Sequence, residues 1–215
     1  MRTLTYRITI AVAALFAAAL CHGQTPQRIA ARATPADYQA HAQTGNFIIA
    51  ADFDGHSVST PDAVFSSEEY VSFEVAFFGP AGSKLILNPN DFKLRIKGKK
   101  APLEAQPYAL VFHGLKDPEW EQTVVQEKKE AQSKTSIGGA GGGNNDGPPP
   151  QPKMPIGVER RMEQRVEKAA LPEGDRPLPE AGLIFFQYRG KTSSMQTLEL
   201  VYTGAAGKAT LSLQP

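Results

Sequence analysis

Apolar and polar residues alternate along several short stretches of this chain, and this two-residue period is typical of β-strands. The alternation is clearest at residues 47–53, 71–77 and 92–96. In the second stretch we expect Phe73 to face a core and Glu74 to face solvent. The same kind of pattern predicts three C-terminal strands, at residues 183–188, 197–202 and 209–213. Clusters of Gly, Pro, Asn and Asp separate the strands and predict turns.

A different pattern occupies the middle of the chain. Asp117, Pro118 and Glu119 form a helix start, because Asp caps a helix and Pro suits its first turn, and a helix is predicted over residues 118–132. A second helix is predicted over residues 155–170. Between them, residues 137–152 are rich in Gly and Pro, which predicts a solvated, disordered linker.

Together these elements predict a mainly β protein. We expect an antiparallel immunoglobulin-like β-sandwich with a helical insertion joined by the Gly/Pro linker. The predicted segments are a signal peptide at 1–23, a flexible tether at 24–45, the first part of the sandwich at 46–115, the helical insertion at 116–179, and C-terminal strands completing the sandwich at 180–215. Two separate domains are the alternative, and three C-terminal strands alone would bury little apolar surface.

The first 23 residues have the composition of a secretory leader. Arg2 and Arg7 precede an uncharged, mostly apolar stretch at residues 8–21 that is too short to span a bilayer. Cleavage after Gly23 is expected, and lipidation of Cys21 is disfavoured because bulky Leu20 precedes it. The mature chain is therefore expected to be periplasmic or extracellular, without a transmembrane anchor. It would also lack any thiol.

Charge and composition exclude a general attraction to nucleic acid. The chain has 23 Lys and Arg residues against 22 Asp and Glu residues. Because the leader contains two arginines and no acid, the remaining chain has one more acidic than basic residue. Any binding of a polyanion must then depend on a local patch of charge. No nucleic-acid partner is expected, and the sequence does not indicate an oligomeric state.

One pair of segments resembles a known family. The stretch KLILNPNDFKL at residues 84–94, together with LELVY at 198–202, is similar to the telokin-like, immunoglobulin-fold family of exported bacterial proteins of unknown function. The resemblance covers residues 47–111 and 171–213 and leaves out 116–170. It implies an immunoglobulin-like fold and an exported setting, and it brings no catalytic residues.

No combination of residues in the chain indicates catalysis or a cofactor. Asp52, Asp54 and His56 resemble part of a calcium loop, but Ala63 stands where the closing Glu is required, so a strand ending in an Asp-Gly turn is favoured. The Gly-x-Ser-x-Gly motif of hydrolases is absent. We therefore expect no catalytic residue, metal or cofactor, and a hydrolase is only a remote alternative.

The second helix supplies the main candidate surface for a protein partner. Its narrow apolar stripe has an acidic row on one side and a basic row on the other. The candidate interaction residues are Val158, Met162, Val166, Arg161 and Arg165. The leading hypothesis is therefore a non-enzymatic envelope protein that binds a protein partner through this helix. Docking of the same stripe on the protein's own sandwich is the alternative.

A basic strand supplies the alternative function. Lys93, Arg95 and Lys97 share one strand face, and Lys99 and Lys100 follow across a turn. These five residues are candidates for binding an envelope polyanion, either a polysaccharide or a lipid headgroup. The other interpretation is that the lysines protect the edge of a sheet from pairing with another chain.

Overall fold

The computed structural model describes residues 27–118, 120–126 and 154–215. The predicted signal peptide and the linker at 137–152 lie outside the described residues. The described strands are β1 (Ala40–Thr44), β2 (Phe47–Gly55), β3 (Ser57–Ser59), β4 (Val64–Ser67), β5 (Tyr70–Phe78), β6 (Lys84–Leu87), β7 (Phe92–Ile96), β8 (Leu103–Gln106), β9 (Leu115–Lys116), β10 (Gly174–Pro177), β11 (Glu180–Gln187), β12 (Leu198–Gly204) and β13 (Gly207–Leu213). The helices are α1 (Tyr108–Phe112), α2 (residues 118 and 120–126) and α3 (Ile156–Ala169).

Eight strands form one antiparallel sheet in the order β1-β2-β5-β11-β8-β7-β12-β13. Its two edge strands approach each other, and the Thr44 hydroxyl donates a hydrogen bond of 2.9 Å to the carbonyl oxygen of Ala206, just before β13. The sheet is thus nearly barrel-like. Smaller antiparallel sheets contain β3, β4 and β9, and β6 with β10. The prediction of a mainly β, antiparallel protein is confirmed.

Strand alternation builds the core of this sheet. Phe73, Phe77, Phe92, Phe186 and Tyr202 are fully or almost fully buried and lie in one cluster. Their rings meet edge to face or tilted, for example Phe73 against Phe186 with centroids 5.6 Å apart. Such contacts are favourable because the edge of one aromatic ring is positive and the face of the other is negative.

The C-terminal strands belong to the same sheet as the N-terminal ones. β11 pairs with β5 along its whole length and with β8 at Phe185 and Phe186. β12 pairs with β7 on one side and with β13 on the other. The segment just before β11 contributes β10, which pairs with β6.

Two local predictions differ from the structure. Residues 40–44 lie in the predicted flexible tether, yet they form β1 and pair with β2 from Ala40–Ala51 to Thr44–Phe47. The segment is held because its extended backbone completes hydrogen bonds on the free side of β2. Residues 108–112 lie in the predicted β region and instead form the short helix α1.

The second predicted helix is observed as α3, within one residue of the expected ends. Met162, Val166 and Ala169 are buried, with exposed fractions of 4%, 0% and 0%. They pack in a second apolar cluster, which also contains Phe65, Phe112, Leu115, Leu183 and Phe185. The apolar stripe of α3 is therefore covered by the protein's own strands and by α1.

None of the helices in the described part of the chain is long and apolar enough to cross a membrane.

Replacing Met162 with Asp should destabilise the protein, because it places a charge in a buried apolar cluster. We expect the free energy of unfolding to fall by about 3–5 kcal/mol, measured by denaturant titration. Gln164→Asp is the matched control, since Gln164 is exposed on the same helix and the charge change is identical. The control should change stability by about 0.5 kcal/mol or less. Equal effects of the two variants would contradict the docked position of α3.

Candidate functional site

Strand β7 presents a row of cations on its outer face. Phe92, Leu94 and Ile96 are buried, whereas Lys93 and Arg95 between them are exposed. This is the strict alternation that the sequence predicted. However, β7 is hydrogen-bonded to β12 on one side and to β8 on the other. The interpretation that these cations protect a sheet edge is therefore wrong, because β7 is an interior strand.

The turn after β7 adds three more cations. Lys97, Lys99 and Lys100 are all exposed. The turn is held by hydrogen bonds from the Lys97 amide to the Thr197 carbonyl, 3.1 Å, and from the Lys99 amide to the Ile96 carbonyl, 2.9 Å. Gly98 has φ +89°, a conformation that side chains disfavour, so a glycine suits this position between the lysines.

Four of the five predicted cations line one open surface cavity with a volume of about 550 Å³. We call it the basic groove, and its lining consists of residues 95–102 with Thr197 and Glu199. Arg95, Lys97, Lys99 and Lys100 contribute the positive charges, and Glu199 contributes the negative one. Lys93 is not part of the lining, and its Nζ lies 2.8 Å from Oε1 of Glu104.

The charges of the groove are only weakly neutralised. Nη1 of Arg95 lies 3.9 Å from Oε2 of Glu199, and both side chains are well exposed. Among the described residues, the ion pairs include none with Lys97, Lys99 or Lys100. Several cations of the groove can therefore donate hydrogen bonds to the anionic oxygens of one ligand.

The predicted protein-contact residues on α3 are only partly available. Met162 and Val166 are buried within the protein, so they cannot form an exposed contact surface, and the prediction that they do is wrong. Val158 and Arg165 are half-buried, and Arg161 is exposed. These three lie with Trp120 of α2 around a cavity of about 250 Å³. The apolar stripe of α3 is covered because it packs against the apolar residues of α1 and β11.

A second cluster of charges lies on the outer face of β2 and β5. Asp52 stands directly opposite Glu74 in the strand pairing. Arg32 forms ion pairs with both carboxylates, at 3.5 Å to Glu74, and its guanidinium lies 4.4 Å above the ring of Tyr38. Glu74 is thus covered, although the sequence predicted that it faces solvent. Sequence reasoning missed Arg32, because nothing local marks it as a partner of two distant strands.

The segment that carries Arg32 lies in a shallow apolar trough. Ala50, Ala76 and Ala181 are aligned across β2, β5 and β11. All three are buried, in one cluster with Tyr38, and Ile29 and Ala31 pack against them. Small side chains on three neighbouring strands leave room for the backbone of the segment to approach the sheet.

Asp54, next to this cluster, has an unusual environment. Burial, with the nearby charges of Glu74 and Asp52, raises the pKa of Asp54 to about 7, and Arg32 opposes the shift. Its Oδ2 is buried without a hydrogen-bond partner. His56 is held elsewhere, with its two ring nitrogens each 2.8 Å from a backbone carbonyl oxygen, of Tyr70 and of Gly190. Within the described residues, no group of acidic and histidine side chains has the arrangement of a metal site.

Asp54→Asn should change how stability depends on pH. The folded protein holds a proton on Asp54 up to about pH 7, whereas the unfolded chain releases it near the ordinary pKa of 3.8. The contribution of Asp54 to wild-type stability therefore falls as pH rises between these values. In denaturant titrations from pH 4 to pH 8, the free energy of unfolding of the variant should rise relative to that of the wild type by about 1–2 kcal/mol. This figure is smaller than the full pKa shift implies because Asp54 is partly exposed to solvent. Parallel pH profiles would contradict this assignment.

The basic groove is thus a place in the described structure where four exposed, weakly neutralised cations converge, whereas the cluster around Arg32 is largely paired within itself. Comparison with known proteins adds no precedent for either: no family model, no curated protein and no solved structure matches this chain.

Proposed function

We propose that this chain is a non-enzymatic, exported binding protein that holds an anionic ligand in the basic groove. The ligand class is an envelope polyanion, a polysaccharide or lipid headgroup that carries phosphate, sulfate or carboxylate groups. The proposal is carried by one observation: four cations line a single surface cavity of about 550 Å³. They are Arg95, Lys97, Lys99 and Lys100.

The placement of the cations supports binding over incidental surface charge. Arg95 projects from an interior strand, and the three lysines project from a turn whose backbone is hydrogen-bonded to Thr197 and Ile96. A rigid base keeps the positive charges close together before a ligand arrives, which lowers the entropy cost of binding. The chain as a whole is almost neutral, so the attraction is local to the groove.

The exported setting is part of the same proposal. The leader-type sequence at residues 1–23 supports export to the periplasm or beyond, where acidic polysaccharides and lipid headgroups are available and nucleic acid is not the expected partner. We also propose that the chain belongs to the telokin-like family, with its immunoglobulin-like sandwich. The strand and turn residues at 84–94 and 198–202 support it, since antiparallel strands occur at both places.

Binding of an envelope protein partner is the second candidate. The observation in its favour is that the helices carry exposed aliphatic side chains. Leu110 on α1, Val125 on α2 and Ile156 on α3 have exposed fractions of 53%, 51% and 68%. Exposed apolar surface of this kind is typical of partner contacts.

The triple variant Lys97→Gln, Lys99→Gln, Lys100→Gln should lose binding to anionic ligands. We expect affinity for alginate or for phosphatidylglycerol vesicles to fall about tenfold or more at low salt, because each exposed ionic contact contributes up to about 1 kcal/mol. Isothermal titration calorimetry or vesicle cosedimentation measures the loss. Wild-type binding should weaken steeply as salt rises from about 50 to 200 mM.

The matched control is Lys168→Gln, Lys191→Gln, Lys208→Gln, which removes the same charge from exposed positions outside the groove. It should bind nearly as well as the wild type. If both triple variants lose affinity equally, the groove has no special role. If the wild type binds neither alginate nor anionic vesicles, the proposed function is wrong.

The second candidate makes a different prediction. Leu110→Ser with Ile156→Ser should leave thermal stability nearly unchanged, since both side chains are exposed. Capture of a defined protein from envelope extract should be lost, and that capture should persist at high salt because apolar contacts are not screened. Retained capture by the double variant would remove the support for a helical contact surface.

A further inference from the structure

We propose that Glu199 is an internal competitor for the ligand, which makes the basic groove selective for anions with several charged groups over anions with one. The inference rests on the proposed function of the groove and adds the residue that sets its selectivity. Glu199 faces Arg95 across the strand pairing, and a ligand must replace it there to use all four cations.

The strand pairing places these two residues face to face. Glu199 of β12 is the direct partner of Arg95 of β7 in the antiparallel register. Residues directly opposite each other in such a pair have side chains on the same face and within reach. Thus the sheet holds Glu199 beside Arg95, the one groove cation that lies within β7.

The contact between them is loose. Nη1 of Arg95 and Oε2 of Glu199 are 3.9 Å apart, which is too long for a hydrogen bond, and the side chains are 65% and 45% exposed. Arg95 can offer two parallel N–H groups to a carboxylate or phosphate, and this geometry leaves them unused by Glu199. A ligand that other cations already hold in the groove can therefore form a two-bond contact with Arg95 that Glu199 does not form.

A neighbouring pair on the same strand provides the contrast. Lys93 of β7 stands opposite Glu104 of β8, with Nζ and Oε1 2.8 Å apart. This pair has hydrogen-bond geometry and lies outside the lining of the groove. The sheet thus neutralises Lys93 closely and Arg95 only loosely, and the loosely held cation is the one that lines the groove.

Selectivity follows from the competition. An anion with a single charge gains little by displacing Glu199, because it exchanges one exposed ion pair for another. A ligand with several anionic groups is already held by Lys97, Lys99 and Lys100, so its next group reaches Arg95 at a high effective concentration. The groove should therefore discriminate in favour of repeated phosphate, sulfate or carboxylate groups.

The test compares two variants that remove one negative charge from the same face of the sheet. Glu199→Gln frees Arg95 in the groove, and Glu104→Gln frees Lys93 outside it. The probes are inorganic polyphosphate and alginate, with inorganic phosphate as the single-anion probe. Calorimetry over about 50 to 200 mM salt gives both the affinity and its salt dependence.

For Glu199→Gln we expect the affinity for both polymers to rise about two- to fivefold, with a steeper dependence on salt by about one ionic contact. Affinity for inorganic phosphate should rise by a larger factor, because it no longer has to displace Glu199 unaided. Glu104→Gln should stay close to the wild type. The gain of Glu199→Gln should disappear when Arg95→Gln is added, which shows that it acts through Arg95.

The outcomes separate this inference from the proposed function. If the wild type binds the polymers through Lys97, Lys99 and Lys100 but Glu199→Gln leaves affinity unchanged, the competitor role is overturned and the binding function stands. Equal gains from Glu199→Gln and Glu104→Gln would also overturn it, because net charge alone would explain them. If the wild type binds neither polymer, this inference is overturned, and if it also fails to bind anionic vesicles, the proposed function is wrong as well.

Discussion

The antiparallel pairing of β11 with β5 joins two segments of the chain that are more than a hundred residues apart. Eight residue pairs connect the strands, from Glu180–Phe77 to Gln187–Tyr70. Without this pairing, backbone groups along one side of each of two buried strands would lack hydrogen-bond partners, at a cost of about 1–3 kcal/mol for each group. The pairing also places Phe186 against Phe73, so the ladder and the aromatic core depend on each other.

Further layers cover the outside of the sheet formed by β2, β5 and β11. The segment at residues 27–38 lies over the alanine trough and brings Arg32 to Asp52 and Glu74. Elsewhere α3 covers apolar residues of β11, including Leu183 and Phe185. Strands at the centre of the sheet are therefore buried on both faces, and this accounts for the burial of Ser72 and the half-burial of Glu74 within β5.

The basic groove depends on other pairings within the same sheet. Arg95 and Glu199 face each other because β12 pairs with β7, and β7 is itself fixed between β12 and β8. The sheet therefore decides which cations are neutralised and which stay free. Proposed binding of a polyanion and the proposed competition by Glu199 both follow from this arrangement of neighbouring strands, and neither requires a movement of the fold.

The sequence by itself determined several of the longer strands, the faces of β7 and, to within one residue, the ends of α3. Alternation placed Phe92 and Leu94 inside and Lys93 and Arg95 outside, because successive side chains of a strand point to opposite faces. It also predicted the cations that line the groove. These features are local, since they depend on residues within a few positions of one another.

Only the tertiary structure decided which surfaces meet. It put β7 in the interior of the sheet, covered Met162 and Val166, drew residues 40–44 into β1, and placed Glu199 opposite Arg95. Periodicity shows that a stripe or a strand is apolar on one side, but the identity of the surface that covers it depends on contacts between distant segments. Those contacts are chosen by packing and hydrogen bonding of the whole chain, for which a single local pattern has no signal.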